Sequence, residues 1–135
     1  MAIKTDGSLW TWGLNINGVL GVNDRTYRSS PTQVPGTNWN TIRLGGSVTV
    51  ATKTDGTLWS WGYNSYAELG QNNKTLYSSP TQIPGTTWSD EISSGDKGGG
   101  AIKTDGTLWM WGQNGGGQLG QNNTTAYSSP KQVGS

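Results

Sequence analysis

The chain has 135 residues, enough for one domain, of which 30% are hydrophobic, and it contains no Cys and no His. Its formal net charge is +1, from nine basic and eight acidic residues that are scattered along the chain. No basic face is therefore available for nucleic acid, and the Ser-His-Asp, Cys-His and usual zinc arrangements are excluded. Eight Trp and five Tyr predict an aromatic core. Nothing near the N-terminus resembles a signal peptide, and no apolar run is long enough for membrane insertion.

A ten-residue pattern occurs three times and organises the chain. It reads KTDGSLWTWG from Lys4, KTDGTLWSWG from Lys53 and KTDGTLWMWG from Lys103. Successive copies are separated by 49 and 50 residues. We therefore predict a single repeat domain over residues 1–135, with repeat units 2–50, 51–100 and 101–135, the last of them incomplete.

Each copy of the pattern predicts a turn followed by a strand. An Asp-Gly pair favours a type I′ hairpin turn, which needs positive φ at both central residues. In the strand that follows, side chains alternate between the two faces of the sheet. Trp59 and Trp61 are therefore expected on one face, with Leu58, Ser60 and Gly62 on the other.

Three more short segments of each unit are predicted to be strands. One begins with proline, which is typical of an edge strand. The next carries Trp39 in unit one and Trp88 in unit two, where one extra residue near Asp90 or Glu91 predicts a β-bulge. The last leads back into the Asp-Gly turn, as at 48–53. Without any helical period, this order predicts an all-β fold of about three four-stranded antiparallel β-propeller blades.

The combined pattern LWxWGxNxxGxLG, with a later SSPxQV, resembles the regulator of chromosome condensation repeat over essentially the whole chain. The resemblance implies four-stranded propeller blades, seven to a ring in the best-known members. Kelch repeats share the period, but their paired glycines are present at Gly45-Gly46 and become Ser94-Gly95 in the next copy. The family's usual His is absent, and no unit holds the inserted wedge of its nucleotide-exchange members, so the resemblance does not imply exchange on a small GTPase.

The Trp pairs have two interpretations. An indole face can stack on a sugar ring, and propellers with one site per blade are common lectin scaffolds. We favour the alternative, in which the indoles pack between neighbouring blades, because both lie on one face of the strand. The predicted blade-packing residues are Trp10, Trp12, Trp59, Trp61, Trp109 and Trp111.

A binding site, if present, is expected on the loops. An Asn and a Tyr recur on the same connection in every copy, and they are predicted to lie side by side along one rim. They could bind a partner or close each loop by local hydrogen bonds, which we favour. A bound cation is a weaker alternative, because calcium loops use several carboxylates. The predicted rim consists of Asn23, Tyr27, Asn72, Tyr77, Asn122 and Tyr127.

The carboxylates do not predict an enzyme. Asp6, Asp55 and Asp105 occupy the turns and need no other role. Asp90-Glu91 is the only adjacent acidic pair, whereas a retaining glycosidase needs two carboxyls about 5–5.5 Å apart across a cleft. We expect no catalytic, cofactor or metal site.

We therefore predict a non-catalytic interaction or scaffold module. Fewer than three complete blades leave Trp-lined faces open at both ends, and the third unit is expected to lack the strand that carries Trp39 and Trp88 in the others. These faces predict a homo-oligomer, with a dimeric ring of about six blades favoured. A protein or glycan is a further candidate partner. The alternative is a structural or glycan-facing module of a bacterial surface or phage virion protein, whose repeats have a similar composition.

Overall fold

The computed structural model describes residues 1–134 and contains strands without any helix in that range. The all-β prediction is confirmed, while Ser135, the last residue of the predicted third unit, lies outside the described residues. No segment of residues 1–134 forms a helix that could span a membrane. The strands are β1 Ala2–Ile3, β2 Leu9–Gly13, β3 Arg28–Gln33, β4 Trp39–Gly45, β5 Val48–Lys53, β6 Leu58–Gly62, β7 Tyr77–Ile83, β8 Trp88–Gly95, β9 Gly98–Lys103, β10 Leu108–Gly112 and β11 Tyr127–Gln132.

The strands form three antiparallel meanders of three, four and four strands, in the orders β1-β2-β3, β4-β5-β6-β7 and β8-β9-β10-β11. The first strand of each four-stranded sheet belongs to the predicted repeat unit before it, the second strand spans the boundary between the two units, and the last two strands belong to the next unit. Residues 101–134, the described part of the predicted third unit, hold no counterpart of β4 or β8, and the third sheet nevertheless has four strands. Strand β8, which carries Trp88, completes the third sheet, and the three-stranded sheet is the first.

The three sheets spread like a fan, as blades of a propeller do. At the inner edge β4 and β8 converge, so that a Cβ added to Gly45 would lie 2.7 Å from the backbone of Gly95. At the outer edge the predicted edge strands β3, β7 and β11 are confirmed, and each begins three residues before its proline. Hydrogen bonds from the Asn23 and Asn72 N–H groups reach the outer strand of the next sheet.

The Asp-Gly hairpins form, but the type I′ turn is wrong. In the middle copy the Gly56 N–H donates to the Lys53 carbonyl at 3.1 Å, and only Gly56, not Asp55, has positive φ, at 79°. This geometry fits a three-residue hairpin in which a type I turn is followed by a left-handed Gly. The Asp side chain explains the difference, because it accepts a hydrogen bond from the N–H two residues on, at 3.0 Å from Thr57.

The inner strands carry the predicted irregularity. Pairing between β8 and β9 shifts register between Trp88 and Ile92, the segment that contains the extra residue. A shift also occurs in β4, between Trp39 and Thr41. The bulge is therefore a feature of both inner strands rather than of the second unit alone.

The core lies between the sheets in two layers. In the first layer Trp39, Ala51 and Trp61 of the middle sheet pack against Leu9 and Val34 of the first sheet. In the second layer the opposite face of the middle sheet packs against Trp88, Ile92, Ala101 and Trp111 of the third sheet. On that opposite face Leu58, Val48 and Val50 are fully buried together with Ser60. Each layer thus joins the Trp face of one sheet to the aliphatic face of the sheet before it.

Candidate functional site

In the second and third sheets, the second Trp of the pair fixes the interface with the preceding sheet. Trp61 Nε1 donates to the Val19 carbonyl at 2.9 Å, and Trp111 Nε1 donates to the Glu68 carbonyl at 2.8 Å. Both indoles are 0% exposed. Val19 and Glu68 occupy the same repeat position, directly before Leu-Gly. Each indole therefore buries its apolar body against the preceding sheet and still satisfies its N–H group there.

The first Trp of each pair is half-buried near the edge of the same interface. Trp59 packs edge-on against Trp39, with ring centroids 5.9 Å apart. The Lys53 ammonium lies over both rings, 4.5 Å from the Trp59 centroid and 4.6 Å from the Trp39 centroid. These ring faces are thus already in contact with a side chain of the chain itself. The same arrangement recurs at Trp88, Lys103 and Trp109.

The Asp of each hairpin holds this Trp through a hydroxyl group. Trp59 Nε1 donates to Thr57 Oγ1 at 2.8 Å, and the Thr57 hydroxyl donates to Asp55 at 2.6 Å. The hydrogen bonds from the Thr57 side chain and backbone lower the pKa of Asp55. The relay is repeated at Asp6, Ser8 and Trp10 and at Asp105, Thr107 and Trp109.

Two blade faces are uncovered within residues 1–134. The open Trp face of the first sheet carries Trp10 and Trp12, and Trp12 is 44% exposed although its equivalents Trp61 and Trp111 are fully buried. The open aliphatic face of the third sheet carries Ile102, Leu108 and Met110. On this face Leu108 is 40% exposed, while its equivalents Leu9 and Leu58 are fully buried.

The predicted rim lies along the outer edge of the fan, and its Asn residues have a backbone role. Asn23, Asn72 and Asn122 are exposed and adopt positive φ of 62°, 57° and 55°, which Asn tolerates better than most residues. The Asn23 N–H donates to the Ser78 carbonyl at 2.9 Å, and the Asn72 N–H donates to the Ser128 carbonyl at 2.7 Å. Asn23 and Asn72 therefore each lie beside the chain segment that begins with the Tyr of the next sheet.

The rim Tyr residues differ in their surroundings. Tyr77 and Tyr127 are partly buried, and their hydroxyls accept hydrogen bonds from Asn73 at 3.0 Å and Asn123 at 3.1 Å. Tyr27 is 68% exposed. The structure thus brings Asn23 near Tyr77 and Asn72 near Tyr127, and it leaves Tyr27 and Asn122 at opposite ends of the fan.

Buried Asn side chains, which sequence reasoning missed, also close the loops. Asn64 is almost fully buried, its Oδ1 accepts from the Leu69 N–H at 3.0 Å, and its Nδ2 donates to the carbonyls of Asn73 and Thr75 at 3.1 and 2.8 Å. The signal in the sequence is the Asn that follows each Trp-Gly by two residues. The same bonds are made by Asn15 and Asn114.

A pocket of about 380 Å³ opens at one end of the strands, where the loops and hairpins of all three sheets meet. Its lining includes Tyr63, Tyr66, Glu68, Asp96 and Lys97. Desolvation raises the pKa of Glu68, whose carboxyl is buried. Sequence reasoning did not single out this residue. In the part of the chain from 1 to 134, no group of three or more His, Cys, Asp or Glu side chains is placed to hold a metal ion.

A fan of antiparallel meanders with indoles between the sheets defines the chain as a β-propeller repeat protein. The family model of the Regulator of chromosome condensation (RCC1) repeat matches residues 6–52, 55–102 and 105–135. The chain therefore belongs to this repeat family, and the resemblance read from the sequence is confirmed. A comparison of the sequence with curated proteins found no significant match.

Solved structures support the same fold. Human WBSCR16 aligns with a TM-score of 0.83 at 25% identity, over 99% of this chain and 37% of that chain. Prp20p from Saccharomyces cerevisiae, described together with its binding to Gsp1p and histones, aligns with a TM-score of 0.85 at 20% identity, over 99% of this chain and 36% of that chain. A structure of yeast RCC1 (Prp20) with Kap60 bound to it aligns with a TM-score of 0.79 at 20% identity, over 100% of this chain and 36% of that chain. This chain thus spans little more than a third of the length of these structures.

Proposed function

We propose that this chain is a non-catalytic interaction module that binds a further copy of itself through its two open blade faces. The observation that carries the proposal is the 44% exposure of Trp12, in a position where Trp61 and Trp111 are fully enclosed. A half-exposed indole next to a second Trp is an apolar surface that a partner can cover.

The two open faces are complementary, because they are the two halves of an interface that the chain already contains twice. In each internal interface an indole N–H bonds to a carbonyl of the preceding sheet, that of Val19 or Glu68. The equivalent carbonyl on the third sheet is that of Gln118. In the assembly that we propose, Trp12 Nε1 donates to the Gln118 carbonyl of the neighbouring copy, and its ring packs near Leu108.

The outer edge offers a second matching contact. Asn23 and Asn72 donate their N–H groups to Ser78 and Ser128, one sheet further along. By the same repeat, Asn122 of one copy is expected to donate to the Ser29 carbonyl of the next. The contact joins different faces of two copies, so it forms either a closed ring or a filament. We favour a ring of two copies, because two times three sheets falls within the range of about four to eight blades.

A general role in protein binding agrees with the described partners of the structural relatives. Prp20p is described with binding to Gsp1p and histones, and yeast RCC1 has been solved with Kap60 bound. These partners belong to those longer proteins, and for this chain they support the class of function only.

Sedimentation velocity at a series of protein concentrations tests the proposal. We expect the parent chain to sediment as a dimer at micromolar concentration. The Trp12→Lys variant should sediment as a monomer, because the substitution places a charge in the centre of the open Trp face. Ile16→Lys is the matched control, since Ile16 is 68% exposed and the equivalent residues Ser65 and Gly115 stay exposed beside internal interfaces.

A parent chain that remains monomeric at every concentration would show that the open faces do not bind each other. Equal loss of association in both Lys variants would point to a general effect of charge. If association persists in Trp12→Lys, the contact lies elsewhere and the proposed interface is wrong. If the parent chain is monomeric, a glycan array becomes the test of the lectin alternative.

A further inference from the structure

We propose that the pocket at the end of the strands binds an alkylammonium or guanidinium group, the charged groups of Lys and Arg side chains. The pocket has a volume of about 380 Å³ and is formed by the loops after β2 and β6 and by the hairpins that follow β4 and β8. It does not include the two open blade faces. The inference is therefore independent of self-association.

The main observation is a buried carboxylate oxygen without a partner. Glu68 is 0% exposed, its Oε2 accepts the Tyr66 N–H at 2.8 Å, and its Oε1 has no hydrogen-bond partner among residues 1–134. In the same range no Lys or Arg lies within ion-pair distance of Glu68. A buried carboxyl oxygen left in this state is costly, and a cationic donor would satisfy it.

The fold does not require a carboxylate at this position. The equivalent residue is Val19 in the first copy and Gln118 in the third. Gln118 Oε1 accepts the Gly116 N–H at 2.8 Å, which reproduces the hydrogen bond that Glu68 makes to Tyr66. An amide therefore suffices to close the loop, and the charge of Glu68 has another explanation in the pocket that it lines.

The rest of the pocket suits a cation with an apolar stem. Tyr63 and Tyr66 lie with ring centroids 6.4 Å apart, so they offer aromatic surface for a methylene chain and for a charged head. Asp96 adds a second carboxylate to the lining. Because Glu68 is 0% exposed, the proposal requires the half-exposed Tyr66 side chain to move aside when the ligand binds.

Two lysines of the chain, Lys74 and Lys97, attract the Glu68 carboxylate without contacting it. Lys97 lies over the Tyr66 ring, with Nζ 5.6 Å from the centroid, and Lys74 and Lys97 both act on Glu68 through longer-range attraction. Neither reaches its carboxyl oxygens within 4.0 Å. Lys97 therefore competes weakly for the site, and removing it should strengthen binding of an external cation.

Titration by NMR, followed at the Tyr63 and Tyr66 ring signals, tests the proposal with defined probes. A capped Gly-Gly-Lys-Gly-Gly peptide should bind, and the same peptide with norleucine in place of Lys should not. Glu68→Gln should weaken binding of the Lys peptide by about tenfold or more, because the charged partner is lost. The variant is expected to fold, since Gln118 already occupies the equivalent position. Glu91→Gln is the control, because Glu91 is an exposed acid outside the pocket.

A second arm separates the two sources of such a group. If n-butylammonium binds as tightly as the Lys peptide, the pocket takes a small free amine, and tighter binding of the peptide indicates a side chain of a protein partner. Either result supports the site. Equal binding of the Lys and norleucine peptides, no shift with any probe, or unchanged affinity in Glu68→Gln would overturn it. Lys97→Ser should raise the affinity, and a loss of binding in that variant would also contradict the proposal.

Discussion

The first and second sheets carry nearly the same ten residues and yet place their Trp pairs in different surroundings. Trp61 is fully buried and bonded to the Val19 carbonyl, whereas Trp12 is 44% exposed. The local structure around the two pairs is alike. The hydroxyl relay forms in the first sheet as it does in the second, and the buried loop-closing Asn15 makes the same bonds as Asn64.

The difference teaches which features a repeat sets by itself. Turn, strand and loop closure depend on contacts within about ten residues, so every copy forms them. Burial of the indole depends on an aliphatic face that only a neighbouring sheet can supply. The same side chain is therefore part of the core in one copy and part of an exposed surface in another.

The largest expected effect is the difference in stability between variants of the buried and the exposed Trp. Trp61→Ala should lower the free energy of unfolding by about 3–5 kcal/mol, because it removes a fully buried indole and leaves a cavity between two sheets. Trp12→Ala should cost less than about 1 kcal/mol in the monomer, since its ring is already half in water. Urea unfolding at protein concentrations below self-association measures both.

The two variants also serve as controls for each other, because the residue types are identical. Equal destabilisation by both would mean that Trp12 is covered in the monomer as well. Equal, small effects would mean that the interface between the first two sheets contributes little to folding.

Much of the fold could be predicted from sequence because it depends on repeated local patterns. Alternation along the Trp-containing strand gave the face shared by Trp59 and Trp61, and proline marked the outer strands. The turn type was missed because the Asp55 carboxylate bonds to Thr57, and no period in the sequence reports that choice. The location of the three-stranded sheet was missed because β4 crosses from one repeat unit into the next sheet.

The candidate sites were harder to predict, because they depend on which chain segments meet in space. Asn72 was chosen for its exposed, recurring position, but its N–H and positive φ are what tie it to the next sheet. Nothing in the sequence separates Asn64 from the other recurring Asn residues of the loops, although its side chain closes the loop. The pocket around Glu68 combines four separate connections, and only the folded chain brings them together.

A smaller difference in stability is expected between variants of Asn64 and Asn72. Asn64→Ala should cost about 1–3 kcal/mol, because it leaves the buried Leu69 N–H without its acceptor. Asn72→Ala should cost about 1 kcal/mol, at the low end of the roughly 1–2 kcal/mol that a left-handed conformation costs an ordinary residue, because Asn already bears part of that cost. Urea midpoints of both variants, with Asn72→Gly as the control for backbone strain, check the order. A larger loss in Asn72→Ala than in Asn64→Ala would return the loop-closing role to the rim residue.

The smallest expected effect is a pH dependence of stability that Glu68 gives to the second sheet. Its equivalent in the third sheet, Gln118, makes the same hydrogen bond without a charge. Desolvation raises the pKa of Glu68 in the fold above its ordinary value of 4.5, so between these two pKa values the folded chain holds more protons than the unfolded chain. The contribution of Glu68 to the free energy of unfolding is therefore fully present below about pH 4.5, and it is lost as the pH rises through the folded pKa. Glu68→Gln should therefore match the parent in acid and become more stable than it at neutral pH. Urea unfolding from acid to neutral pH measures this, with Glu91→Gln expected to follow the parent. Lower stability of Glu68→Gln at neutral pH would mean that the carboxylate stabilises the fold. The buried charge would then be explained without a bound cation.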